Sequence, residues 1–358
     1  MADNAPVNLH EYEPLARARM SEMAWDYLAG ASGDEKTLGW NRERWDAIRL
    51  APRVLRDVSR LDTSLALLGI DLPHPVVLAP TGFQRLFHDE GEPAAVRGAG
   101  AAGALFCVST VATTTLEDVA AAAGGPLWFQ LYVQRDRGFT RALLQRAEAS
   151  GYRAVVLTVD TPVLGARDRD HRRQLELPPG LEMANLRALR EVGATVPTFD
   201  HGVYNAFLDP SLTWDALEWL RGQTDLPVVV KGVLRADDAL QALQRGAAAI
   251  AVSNHGGRCL DTVPATADVL PRITEAIAGR LPLLVDGGIR RGVDVIKALA
   301  LGASAVMIGR PYLWGLAAAG APGVTRVVRL LVAELEMAMA QCGAASLAQV
   351  DRELLWCD

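Results

Sequence analysis

Eight short apolar runs recur between Val76 and Ile308, and they constrain the fold more than any other feature. They are Val76–Ala79, Ala104–Val108, Leu127–Leu131, Ala154–Val159, Val228–Val230, Ala248–Val252, Leu283–Val285 and Ala305–Ile308. Most lack polar alternation, as strands buried on both faces do. Between them lie stretches with helical spacing, such as Phe139–Ala149, Ala236–Gln244 and Gly292–Ala300. Eight strands each followed by a helix is the count for a closed (β/α)8 TIM barrel, for which about 250 residues suffice. An open doubly wound sheet uses the same units. The run ends favour the barrel. They finish in Pro80-Thr81-Gly82, Ser109, Gln130 with Tyr132, Thr158 with Asp160, Lys231, His255, Asp286-Gly287-Gly288 and Gly309-Arg310. A barrel gathers all of these on one face, whereas an open sheet spreads them along a line.

The remaining chain divides around this rhythm into one domain, 1–358. Residues 1–74 read as a helical lead-in, with Ser21 capping a helix that ends near Gly30 and a second helix containing Trp40 and Trp45. Residues 75–320 form the barrel and 321–358 the C-terminal helices. The connection 161–226 is too long for an ordinary loop and helix, so it is expected to hold a lid or mobile loop. A net charge of −6 with no basic tract argues against nucleic acid. No signal peptide and no bilayer-length apolar run are read from the sequence, so a cytoplasmic protein without a membrane partner is expected. Cys107, Cys259, Cys342 and Cys357 show no paired spacing, which suggests free thiols and no metal site.

One motif is a decoy. Gly98-Ala99-Gly100-Ala101-Ala102-Gly103 spells the dinucleotide fingerprint, yet it follows a helix and precedes a strand, the reverse of what phosphate binding needs. The loops after the last two strands, Asp286-Gly287-Gly288-Ile289-Arg290 and Gly309-Arg310, suit a phosphate better, with glycine amides and arginine forks. After the sixth strand comes Ser253-Asn254-His255-Gly256-Gly257-Arg258-Cys259-Leu260-Asp261, which sets a proton acceptor beside a carboxylate clamp. An ordinary strand-to-helix turn would also accommodate it.

Ser253–Asp261 resembles the signature of the FMN-dependent α-hydroxy-acid oxidases and dehydrogenases. Trp25–Gly30, Ala79–Gly82, Phe129–Tyr132, Leu157–Pro162, Val230–Gly232 and Asp286–Gly292 resemble further motifs of that family, in its order. The resemblance implies a barrel that holds FMN and oxidises a 2-hydroxy acid to a 2-oxo acid, with O2 as acceptor and a homo-oligomer, a tetramer, as the assembly. It implies His255 as the base, with Asp160 holding its ring. Arg258 and Arg167 would hold the substrate carboxylate, and Tyr27 and Tyr132 would hydrogen-bond it. Lys231 would lie at the flavin N1–O2 edge. Pro80, Thr81, Gly82, Ser109, Gln130, Thr158 and Ser253 would contact the flavin. Asp286, Gly287, Gly288, Ile289 and Arg290 with Gly309 and Arg310 would hold the ribityl phosphate.

The residue types suit that chemistry. Removing two electrons and two protons from a carboxylate-bearing carbon needs a planar cation, a base near neutrality and a fixed positive charge beside the reduced ring. Val111 stands where short-chain glycolate oxidases carry tryptophan, and Phe83 adds an aromatic wall. The segment Phe83–His88, followed by Glu90-Gly91-Glu92, is most similar to mandelate and 4-hydroxymandelate oxidases. An aromatic substrate is therefore expected, with a lactate- or glycolate-type acid as the alternative. Gly82, in place of an alanine, leaves oxidase against dehydrogenase open.

Overall fold

The computed structural model describes residues 5–173, 177–188 and 208–356. A short antiparallel hairpin, β1 (Leu65–Leu67) and β2 (Ile70–Leu72), leads into eight parallel strands. These are β3 (Val76–Leu78), β4 (Leu105–Val108), β5 (Leu127–Leu131), β6 (Val155–Thr158), β7 (Val228–Val233), β8 (Ala249–Val252), β9 (Leu283–Val285) and β10 (Ala305–Ile308). They pair in chain order, and β10 closes back on β3 through Val306↔Val76 and Ile308↔Leu78. The fold is a closed (β/α)8 barrel, and the open-sheet alternative falls with that last pairing.

The apolar runs are continuous because both strand faces are buried. Residues of one parity, such as Val77, Cys107, Trp128, Val156, Val229, Ala251, Leu284 and Met307, fill the barrel interior. Their neighbours, such as Leu78, Phe106, Phe129, Leu157 and Val230, pack outward against the helices. Leu67, Ile70 and Leu72 of the hairpin join the interior cluster. Side chains alternate along a strand, so the next inward position lies two residues on. There the residues are Ser109, Gln130, Thr158, Lys231, Ser253, Asp286 and Gly309. A dry interior thus changes to a polar layer within one step, on the face where the strands end.

Two helices of the lead-in form where the sequence places them, whereas its last part is the hairpin β1–β2 and not helical. Ser21 caps the helix Glu22–Ala29 by accepting from Ala24 N at 3.2 Å, and Gly30 ends it. Trp40 and Trp45 lie on the helix Lys36–Ala47. The decoy glycines have packing roles. A Cβ on Gly98 would lie 2.5 Å from Ala321 O, and one on Gly100 would lie 2.6 Å from the Gly124 backbone.

One expectation is corrected. The helix Arg310–Gln341 is long and apolar enough to cross a bilayer, although no such run was read from the sequence. Half of that apolar stretch is buried within the fold, where the helix packs on Gly91–Ala101 and Tyr12–Arg17. Non-helical backbone at Ala319 and Gly320 breaks it into two segments. In the long connection, the described residues form the helix Asp168–Arg173, a 3-10 turn at Ala184–Leu186 and the helix Asp215–Arg221. The part of the expected lid at 174–176 and 189–207 lies outside the described residues.

Candidate active site

A cavity of about 530 Å³ opens at the strand C-termini. Every strand of the barrel contributes to it or to the layer behind it. His255 sits in a 3-10 turn immediately after β8, with φ 56°, in the left-handed region that non-glycine residues rarely adopt. Its backbone N donates to Ser253 Oγ at 3.0 Å, which ties the turn to the polar layer. Its Nδ1 lies 2.9 Å from Asp160 Oδ1, beyond the end of β6. Burial pulls the imidazole pKa down, but the charges of Cys259 and Asp160 outweigh that and raise it to about 9. Burial alone would raise Asp160, and the cations His255 and Lys231 instead hold it down to about 2. Thr161 Oγ1 donates to Asp160 Oδ1 at 2.9 Å and stands 3.3 Å from Cys259 Sγ.

Two guanidiniums flank one aromatic ring beside this pair. Arg258 lies over the Tyr27 ring at 4.7 Å and Arg167 over the same ring at 5.6 Å. Arg258 Nη1 donates to Tyr27 O at 2.6 Å and Gly30 O at 2.9 Å. Those carbonyls end the helix Glu22–Ala29, where the helix dipole and unpaired acceptors favour a cation. Arg167 Nε is 2.7 Å from Asp170 Oδ2, a carboxylate that is almost fully buried. Tyr132 also lines the cavity, and burial pushes its phenol pKa up.

The cavity is also lined by a strip of amide, hydroxyl and ammonium groups. Gln130 Oε1 accepts from Ser109 Oγ at 3.2 Å, and Nε2 donates to Thr158 Oγ1 at 3.1 Å. Lys231 Nζ donates to Ser253 Oγ at 3.0 Å and lies 3.4 Å from Asp286 Oδ2. Burial would lower this lysine, and Asp286 and Asp160 raise it instead. Pro80, Thr81, Gly82, Gly287, Gly288, Ile289 and Gly309 line the same cavity. Two expected site residues stand behind its wall: Asp160 backs His255, and Ser253 joins Lys231 to Asp286.

Two further arginines that line the cavity are buried with no carboxylate partner among the described residues. Arg310 donates to Leu28 O at 2.9 Å, Gly30 O at 2.8 Å and Gly256 O at 3.0 Å. Arg290 lies over the Trp314 ring at 4.8 Å. Burial lowers their pKa values to about 9 and about 10, and for Arg310 the neighbouring Arg258 and Arg290 add to it. Two permanent cations held this way call for an anion.

The sequence reading missed several lining residues. Leu164, Leu177, Leu181, Met183, Leu186 and Leu208 all belong to the long connection and give the cavity an apolar side. Their only local signal is a scatter of Leu and Met in a charged stretch. Tyr312, which donates to Ala79 O at 3.1 Å, supports the Pro80–Thr81 turn from β10's side.

Comparison with known proteins identifies the family. The family model for FMN-dependent dehydrogenase matches residues 16–357. The chain belongs to the FMN-dependent dehydrogenase family. Within it, the protein is 49% identical to L-lactate oxidase of Nostoc sp. (strain PCC 7120 / SAG 25.82 / UTEX 2576), over 99% of each chain. It is 44% identical to a peroxisomal (S)-2-hydroxy-acid oxidase of Oryza sativa subsp. japonica, over 98% of this chain and 96% of that one. The crystal structure of mandelate oxidase with (S)-2-phenylpropionate matches with a TM-score of 0.89 at 41% identity, over 98% of both chains. This member of the FMN-dependent dehydrogenase family is an FMN-dependent 2-hydroxy-acid oxidase.

The residues fit FMN. The unneutralised Arg290 and Arg310 match a dianionic phosphate. Asp286 lines the cavity and its Oδ1 is buried without a hydrogen-bond partner among the described residues, which suits a ribityl hydroxyl as donor.

Proposed function

We propose that this enzyme oxidises an aromatic (S)-2-hydroxy acid, of the mandelate or 4-hydroxymandelate kind, to the 2-oxo acid, with O2 reduced to H2O2. FMN, when bound, supplies the two-electron acceptor. Arg258 and Arg167 hold the substrate carboxylate between them, because two converging planar forks bind and orient it. Tyr27 and Tyr132 hydrogen-bond the carboxylate and the hydroxyl. That places the substrate against His255, which accepts a proton in the reaction. Asp160 keeps the imidazole oriented through Nδ1 and stabilises its protonated form. Lys231, fixed by Ser253 and Asp286, would hold a positive charge beside the flavin when FMN is bound.

The observation that carries the choice of substrate is the apolar side of the cavity. Val111, Phe83, Met183, Leu186, Leu177 and Leu208 border it, which leaves a space suited to a ring rather than to hydrogen or methyl. The mandelate oxidase structure supports the same reading. The 49% identity to L-lactate oxidase favours a second one, in which the substituent is a methyl group. Steady-state assays with (S)-mandelate, L-lactate and glycolate decide between them. A higher kcat/KM for lactate or glycolate would overturn the aromatic reading, and substrate oxidation without oxygen uptake would overturn the acceptor. A cytoplasmic setting and a tetramer belong to the same proposal. The free thiols Cys107, Cys259 and Cys342 support the setting, and light scattering of the purified protein tests the tetramer.

A further inference from the structure

The apolar side of the cavity is assembled from three separate stretches of chain. Phe83 follows β3, Val111 follows β4, Met183 precedes the 3-10 turn of the long connection and Leu186 ends it. None of the four lies in a barrel strand, so the barrel alone does not fix their spacing. Two buried polar residues outside the cavity lining join the stretches.

Glu92, 1% exposed, stands in the first turn of the helix Gly91–Ala101. It accepts from Gln84 N at 3.3 Å, Thr113 N at 2.8 Å, Thr113 Oγ1 at 2.6 Å and Thr114 Oγ1 at 2.9 Å. It thereby holds the Phe83 loop to the Val111 loop. Asn185, 2% exposed, lies between Met183 and Leu186 in the chain. Its Oδ1 accepts from Leu116 N at 3.0 Å and Arg146 Nη2 at 3.1 Å, and its Nδ2 donates to Thr114 O at 3.2 Å. Ala184 N donates to Ala112 O at 3.0 Å, two residues from Thr114. Thr114 is the shared member, with its hydroxyl on Glu92 and its carbonyl on Asn185.

Glu92 makes no ion pair among the described residues. A buried carboxylate without a cation is costly unless donors surround it, and an apolar side chain would fill the same space more cheaply. Its directional bonds therefore fix loop geometry. We propose that Glu92 and Asn185 are positioning residues that set which size of 2-hydroxy acid the enzyme accepts. They do so by holding Phe83, Val111, Met183 and Leu186 at a fixed spacing. The proposal rests on the assignment of that apolar side to the acid's substituent.

The test is to measure kcat and KM for (S)-mandelate and glycolate in the holoenzyme, together with FMN affinity and melting temperature. E92Q and N185A should raise KM for mandelate by about 10-fold, the scale on which an apolar pocket discriminates. KM for glycolate and FMN affinity should stay within about twofold, because neither uses that wall. N185D keeps the acceptor for Leu116 N and loses the donor to Thr114 O, so it should fall between N185A and the wild type. Should N185A fail to fold, E92Q and N185D carry the same comparison. Equal losses for both acids, or losses that follow melting temperature alone, would overturn the positioning role. The wild-type mandelate-to-glycolate ratio tests the aromatic reading separately. If that ratio favours glycolate while the variants still shift it, the aromatic reading fails and the positioning role stands.

Discussion

Gly82→Ala adds one methyl group where the structure has no room for it. A Cβ on Gly82 would lie 2.6 Å from Val111 Cγ2, 3.4 Å from Val111 O and 3.5 Å from the Tyr27 hydroxyl. Apolar carbons rest at about 3.5–4.0 Å, so the overlap with the valine methyl is about 1 Å. Gly82 is not in the left-handed region, so alanine strains no backbone there and the effect is one of packing. Val111 has little freedom to turn away, being β-branched. Its N donates to Ser109 Oγ at 3.2 Å and its O accepts from Phe83 N at 3.3 Å, which limits retreat of the chain. Overpacking of this kind costs about 1–3 kcal/mol, and a value near the middle is expected for Gly82→Ala. Combining it with Val111→Ala removes the obstructing methyls, so the double variant should recover about 1–2 kcal/mol relative to the sum of the singles. Denaturant unfolding of the four FMN-saturated proteins measures this. The kcat/KM for mandelate should fall more than that for glycolate, since the new methyl lies beside Val111 and Tyr27. A Gly82→Ala protein as stable as wild type, with additive behaviour in the double variant, would refute the reasoning.

Three further outcomes are expected. With His255 raised to about 9, the imidazole becomes free to accept a proton only as pH approaches that value, so kcat/KM climbs with pH and levels off above it. By the same sign, the stabilisation from protonated His255 is full below its unfolded pKa of about 6.5 and is lost as pH rises through the folded value. Asp160→Asn should move the rising limb to lower pH and lower the plateau by about 100-fold; stopped-flow reduction across pH checks both, and an unmoved limb counts against the pairing. Arg310→Met should weaken FMN binding by about 100-fold or more, as expected when a buried charge partner is lost, and flavin fluorescence titration of the apoprotein would show otherwise if affinity stayed within twofold. Asp294, 1% exposed, accepts from Arg42 Nη1 at 2.7 Å, Arg290 N at 2.8 Å and Arg291 N at 2.9 Å. Asp294→Ala should therefore cost about 3 kcal/mol in denaturant unfolding, and a cost below half of that would show that the loop holds without it.

The barrel was legible because its signal is local. Each run such as Leu127–Leu131 announces a strand buried on both faces, and the order of eight such runs needs no long-range information. The polar layer was legible for the same reason, since Gln130 and Lys231 sit at the ends of those runs. Asp286 was read with the phosphate loop because it adjoins Gly287 and Gly288, yet its Oδ2 accepts from Ser253 and faces Lys231. That pairing joins three strands and leaves no mark in any one of them. Glu92 and Asn185 were invisible as wall supports for a similar reason. A glutamate at a helix start and an asparagine in a loop are ordinary locally, and their meaning lies in partners 21 and 71 residues away. The long helix was missed as an apolar run because Arg326 and Arg329 interrupt it on the face turned from the core.

The hold of Arg258 and Arg310 on the end of the helix Glu22–Ala29 also sets when the enzyme comes into being. Tyr27 and Arg258 are separated by 231 residues, and Leu28 and Arg310 by 282. At a synthesis rate of about 5–20 residues per second, the helix leaves the ribosome tens of seconds before its anchors. Until then its terminal carbonyls face water, and the ring of Tyr27 has no guanidinium from the sixth βα unit to lie against. A nascent chain can therefore complete most of the barrel and still lack a substrate site. On the proposed assignment of that site, activity begins only once the last strand has emerged and this N-terminal helix has docked.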